Sequence, residues 1–101
     1  MNSFSLETPE QVSQKLAARA KALRLARGWK QITLAERSGV SLASLRRFED
    51  SGKISLQSLL DLAFALNRLD DFEALFQPPP ASSIAELERA EQRPVRKRGR
   101  V

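Results

Sequence analysis

The chain contains no cysteine, no histidine and no tyrosine. Without cysteine there is no disulfide framework, and without cysteine or histidine there is no thiolate or imidazole to hold a transition metal. The same two absences remove every Ser/His and Cys/His nucleophile pair. Val, Ile and Thr are few and scattered, which argues against strands. No run of roughly 18 apolar residues occurs, and the start MNSFSLETPEQV lacks the basic n-region and apolar core of a secretion signal. A cytoplasmic protein that neither enters nor crosses a membrane is expected. The 101 residues, 42% of them hydrophobic, suffice for one small domain. Lys and Arg number 17 against 12 Asp and Glu, a formal net charge of +5. With a sequence pI near 10.4, this balance suits a polyanionic partner.

Leu and Ala recur at spacings of three and four, so the expected fold class is all-α. Residues 1–8 read as an N-terminal arm. A first helix is expected over 9–27: Thr8 caps it, Pro9 takes a position needing no N–H, and Gln11 completes a capping box. Its inward stripe would be Val12, Leu16, Ala20 and Leu23, with Gly28 just past its end. A short second helix spans Gln31 to Arg37 with Leu34 and Ala35 inward, stopped at Ser38-Gly39. Ser41 caps a third, reaching about Asp50 with Leu45 and Phe48 inward. Ser55 caps a fourth, whose stripe would be Leu56, Leu59, Leu60, Ala63 and Leu66. Asp70 and Glu73 form a capping-box pattern for a short fifth helix carrying Phe72, Leu75 and Phe76. Five helices thus fill a compact domain over residues 9–77.

Pro78, Pro79 and Pro80 remove three donors and end that domain, leaving 78–101 as a Pro-rich linker, a marginal helix and a flexible basic tail. Ser83 and Glu86 repeat the capping-box pattern ahead of Ile84, Leu87 and Ala90, but about nine residues make a helix that is marginal alone. Arg93, Arg96, Lys97, Arg98 and Arg100 follow with no acidic neighbour. That end reads either as a solvated tail, as a contact to the DNA backbone or as a contact to a protein.

The segment QITLAERSGVSLASLRRFE, Gln31 to Glu49, carries the functional signal. Two short helices flank a turn containing Gly39; Ala35 is small enough for close approach, and Val40 can pin the turn. This is the pattern of a helix-turn-helix. At 100° per residue Leu45 and Phe48 share one side of the third helix, Ala43 and Arg47 the other, with Arg46 beside them. Leu42 is expected to protrude at the helix start, where base edges are first met. In a major groove Leu42 and Ala43 would face thymine methyls; otherwise they are ordinary exposed residues. Gln31, at the start of the second helix, is placed to join free backbone N–H groups on one phosphate. Trp29, following Gly28, reads as a core plug between the first two helices.

The run from Arg24 through Leu66 resembles the lambda-repressor-like, Xre-family helix-turn-helix domain. The marks are Leu23-Arg24, Arg27-Gly28, Gln31, Leu34-Ala35, Gly39-Val40-Ser41, Leu45, Glu49 and the leucine-rich fourth helix. The resemblance implies a five-helix fold binding double-stranded operator DNA as a homodimer. Gln31 and Ser41 would then touch phosphates, and Leu42, Ala43 and Arg47 would face bases. Ser44, Arg46 and Lys53 complete the expected DNA-binding set. It also implies an ion pair between Arg24 and Glu49 that orients the third helix. Many members carry Asn-Gly after the glutamate, whereas this chain reads Glu49-Asp50-Ser51-Gly52-Lys53. The form FEDSGKISLQSLLDLA further resembles HipB-like antitoxins, which are paired with kinase-type toxins.

An apolar surplus on the last two helices, Leu62, Phe64, Phe72 and Phe76, is expected to form the dimer interface, with ordinary surface exposure as the alternative. No enzyme activity, cofactor or metal is expected, since Asp70-Asp71 and Glu49-Asp50 read as a helix cap and an ion-pair partner. Two functions follow: an operator-binding transcriptional repressor, or an antitoxin that neutralises a toxin and binds DNA only secondarily. The segment from Ser83 to Arg93, or the adjoining surface of the fifth helix, is the expected docking element for such a toxin, with a disordered tail as the alternative.

Overall fold

The computed structural model describes residues 7–80 together with residues 88, 89 and 91. Four α-helices follow one another: α1 (Pro9–Ala26), α2 (Gln31–Ser38), α3 (Leu42–Ser51) and α4 (Leu56–Ala65), then a 3₁₀ turn at Leu69–Phe72. Among the described residues there is no strand. Each start has a local cause. Thr8 Oγ1 accepts the N–H of Gln11 at 3.2 Å while Gln11 Oε1 accepts the N–H of Thr8 at 2.9 Å, a complete capping box with Pro9 behind it. Ser41 and Ser55 cap α3 and α4 by accepting the N–H groups of Ser44 and Ser58.

The fifth helix is absent. Asp70 does not cap; it sits inside the 3₁₀ turn and its carbonyl accepts the N–H of Glu73. The nine residues from Leu69 to Gln77, ahead of the prolines, leave little helix to nucleate. Phe76 closes the segment in the left-handed region at φ 63°, a conformation no helical residue takes. Arg68 and Asp71 are paired across the turn at 3.0 Å.

The helix faces are rotated from those that periodicity suggests. On α1 the buried residues are Ala17 and Arg24; Val12 and Leu16 are exposed, and Leu23 and Ala20 are half-buried. On α4 Leu62 is 1% exposed and belongs to the core, while Leu56 is 67% exposed. Leu62 is therefore not a dimer-interface residue. Its neighbours in the core are Leu34, Leu45 and Phe48, each fully buried, with Val40, Ala35 and Leu66. Each large side chain contributes about 1.5–3 kcal/mol by leaving water.

α1 packs on α3, and α2 packs on both α3 and α4. Gly52 sets the first of these contacts. It caps α3 at φ 81°, and a Cβ there would meet the backbone of Ser13 and Gln14 at 2.9 and 3.0 Å. Trp29 is half-buried against the core, with the guanidiniums of Arg27 and Arg37 stacked at 5.1 and 4.6 Å from its ring. It plugs the α1–α2 junction without being enclosed. Arg27 also donates to the Leu66 carbonyl at 2.8 Å, tying the end of α1 to the end of α4. Residues 1–6 of the arm, Ser83, Ile84, Glu86, Leu87 and Ala90, and the basic residues from Arg93 onward lie outside the described residues.

Candidate nucleic-acid interface

α2, its turn and α3 are held as one unit. Gly39 ends α2 in the left-handed region at φ 79°, and Ser38 Oγ accepts the N–H of Val40 at 3.1 Å. Val40 points into the core. α3 then leaves the turn with Leu45 and Phe48 locked inside. The opposite strip of α3, at the i, i+3, i+4, i+7 spacing, is Ala43, Arg46, Arg47 and Asp50, all exposed. Ser41 and Ser44 are exposed beside it at the helix start. Among the described residues the guanidinium of Arg47 and the ammonium of Lys53 have no hydrogen-bond or ion-pair partner. The backbone N–H of Lys53 donates to Ser51 Oγ at 3.2 Å, which holds the loop after α3 against the end of the helix. Leu42, expected to protrude, is half-buried and packs against the core, so only part of its side chain is available outside.

Behind this face lies a polar cluster. Arg24 is 6% exposed; its Nε donates to Glu49 Oε2 at 2.8 Å and its Nη2 to Glu49 Oε1 at 2.9 Å. The pair is bidentate and almost completely enclosed. Nη1 of Arg24 donates to the Trp29 carbonyl at 2.9 Å, which fixes the chain between α1 and α2. Gln31 supplies a third donor to Glu49, from Nε2 to Oε1 at 2.9 Å. Burial pushes the Glu49 carboxyl upward, but the hydrogen bonds from Arg24 and Gln31, and the charges of Arg24 and Lys21, outweigh it and leave the group below its ordinary value. The carboxylate therefore stays ionised at neutral pH.

The amide of Gln31 faces inward, contrary to the expectation that it reaches out to a phosphate. Its Oε1 also accepts from Arg46 Nε, at a long 3.4 Å. Gln31 thus connects the enclosed ion pair to the outer face of α3. The start of α2 remains an anion-favouring position through its backbone, because Lys30 provides no side-chain cap. Sequence reasoning missed two residues here. Lys30 is exposed at that helix start, and Asp50 shares the outward strip with Arg46 and Arg47. The i, i+3, i+4, i+7 spacing already contained the signal for Asp50.

Of the four residues expected to join two copies, Leu62 is in the core, Phe64 and Phe76 are exposed and Phe72 is half-buried. Phe64 and Phe76 are 72% and 102% exposed, and Phe64 shares a shallow depression with Leu69. Phe72 instead lines a groove between α1 and α4.

A rigid pair of short helices joined by a glycine turn, presenting an unobstructed and mainly basic strip, defines a helix-turn-helix DNA-binding domain. The comparison with known families agrees: the helix-turn-helix family matches residues 21–72, just over half of the chain. The chain belongs to that family, the Xre or lambda-repressor-like group of DNA-binding regulators. No curated protein matches it. Among the described residues no helix is long and apolar enough to cross a membrane.

Proposed function

We propose that the chain is a transcriptional repressor that binds a two-fold symmetric operator as a homodimer, with α3 of each copy in a major groove. The observation that carries this reading is the exposed Ala43, Arg46, Arg47 and Asp50 strip on a helix whose other side is fixed by Leu45, Phe48 and the Arg24–Glu49 pair. Arg47, central and without a partner among the described residues, reads guanine through a bidentate contact. Asp50 would accept from a cytosine amino group and repel phosphate at the far end of the strip, which makes it a specificity element. Ala43 and the outer part of Leu42 face thymine methyls. Ser41, Ser44, Lys53 and the backbone at the start of α2 hold phosphates, with Lys30 adding charge there. Gln31 serves this site indirectly, by fixing Glu49 and Arg46.

The homodimer rests on Phe64 and Phe76, large apolar side chains left in water by a single copy. An additional role as an autoregulating antitoxin, paired with a kinase-type toxin, rests on the resemblance of the segment from Phe48 to Ala63 to HipB-like proteins. Co-purification of the full chain with the product of the neighbouring gene tests that role.

The operator is identified by selecting duplexes from a random pool with the full-length protein. On that operator Arg47→Ala lowers affinity by about 1–3 kcal/mol and leaves binding to a scrambled duplex nearly unchanged, as read by fluorescence anisotropy. An equal loss on both duplexes makes Arg47 a phosphate contact and removes it from base readout.

A further inference from the structure

α1 rests mainly on α3 and α4 mainly on α2, so α1 and α4 meet little directly. Between them runs an apolar groove of about 710 Å³. Leu16 and Leu23 from α1, Ala63 and Leu66 from the end of α4, and Phe72 and Leu75 after it form its walls. Arg19 stands at its edge without an ion-pair partner among the described residues. Arg68 and Asp71, also at the edge, neutralise each other. The groove is thus an apolar channel whose one positive charge unpaired among the described residues is Arg19, on a domain too small to leave such a surface without consequence.

The chain beyond the prolines carries a complement. In a helical register Ile84, Leu87 and Ala90 fall on one side, and residues 88, 89 and 91 are helical, with Glu88, Arg89 and Glu91 exposed. Glu86, Glu88 and Glu91 against Arg89 give the segment a net negative charge, opposite in sign to Arg19. The geometry of the tether also fits. Nine residue steps lead from Leu75, already in the groove wall, to Ile84; at about 3.3 Å per extended step they reach roughly 30 Å. The groove wall on α1, from Leu16 to Ala26, is only about 15 Å long at 1.5 Å per residue. Such a helix is marginal in isolation and gains stability only by burying its apolar side.

We infer that the segment from Ser83 to Glu91 docks as an amphipathic helix in the α1–α4 groove of its own chain, with Ile84, Leu87 and Ala90 inward and its acidic residues toward Arg19. The docked segment supplies the packing that the missing fifth helix leaves undone. It also directs the basic residues from Arg93 onward away from a point set by the fold. This assignment does not depend on what the α3 face binds.

The absence of native cysteine makes a direct test simple. Arg89→Cys, at an exposed position off the apolar side, takes a single nitroxide label in the full-length, isotope-labelled protein. The amide signals of Ala20, Ala22 and Leu23 are expected to lose most of their intensity, several-fold more than those of Glu36 and Arg37 on α2. Adding Leu87→Asp should restore the groove signals while leaving the remaining spectrum folded. A mixture of spin-labelled but isotopically silent protein with isotope-labelled, unlabelled protein should show no broadening. Broadening in that mixture equal to the first sample overturns docking in the same chain and assigns the groove to a second copy. Equal broadening of the groove and α2, or a groove effect that survives Leu87→Asp, reports random collision of a tether and overturns the proposal altogether.

Discussion

Replacing Glu49 by alanine strands the Arg24 guanidinium inside the domain. Of the three hydrogen bonds that Arg24 makes, two end on Glu49 and only the one to the Trp29 carbonyl survives. Gln31 loses its acceptor as well. Both side chains of the pair are nearly inaccessible, so water cannot replace the lost carboxylate without opening the α1–α3 contact. Breaking an enclosed pair from one side costs about 3–5 kcal/mol, whereas an exposed pair is worth about 0–1 kcal/mol. A domain of about 70 residues has roughly 4–10 kcal/mol of stability in all, so Glu49→Ala should be partly unfolded at room temperature or close to it. Urea titration followed by circular dichroism measures the loss, with an unchanged slope showing that the same surface is still exposed on unfolding. The double variant Arg24→Met, Glu49→Leu should recover much of it, because removing both charges removes the desolvation penalty together with the attraction. A single-variant loss below about 1 kcal/mol, or a double variant no better than the single, refutes the reading that this pair is enclosed and mutually dependent.

The same pair has a pH signature: Glu49 is held below the ordinary carboxyl value of 4.5, so the unfolded chain takes up the proton first. Its contribution is complete above that value and is lost as pH falls through the lower folded one, and Glu49→Gln should flatten the acid limb of a stability–pH curve. Gly52→Ala should cost about 2–4 kcal/mol, combining left-handed strain with a clash against the Ser13 and Gln14 backbone. Gly39→Ala, with open space around the site at a similar φ, should cost only about 1–2 kcal/mol, both losses read in the same urea titrations. Phe64→Gln with Phe76→Gln should convert a dimer to a monomer in sedimentation without lowering the melting point of the monomer, and an unchanged sedimentation coefficient removes these residues from the interface. Asp50→Ala should weaken discrimination between operator variants in anisotropy while slightly raising affinity for scrambled duplex, since it removes a negative charge from the strip.

The first four helices and their ends were legible in the sequence because their causes are local, whereas the Asp70 and Glu73 capping-box pattern pointed to a fifth that does not form. Thr8 with Gln11, Ser41 and Ser55 satisfy the first N–H groups of their own helices, and Gly39 supplies a left-handed residue that the neighbouring types resist. The Arg24–Glu49 pair was legible only through family resemblance, since 25 residues separate the partners. Tertiary structure alone decided which side of each amphipathic helix turned inward. Leucines surround much of α4, so periodicity could not choose between Leu56 and Leu62; the position of α2 did. On α1 the small Ala17 and the paired Arg24 were buried in place of Val12 and Leu16, because the close approach of Gly52 set the crossing with α3. The inward turn of the Gln31 amide was likewise fixed by a carboxylate 18 residues away. A cap needs only its neighbours in the chain, whereas the choice of a buried face needs a partner surface, and that surface exists only after the helices have packed.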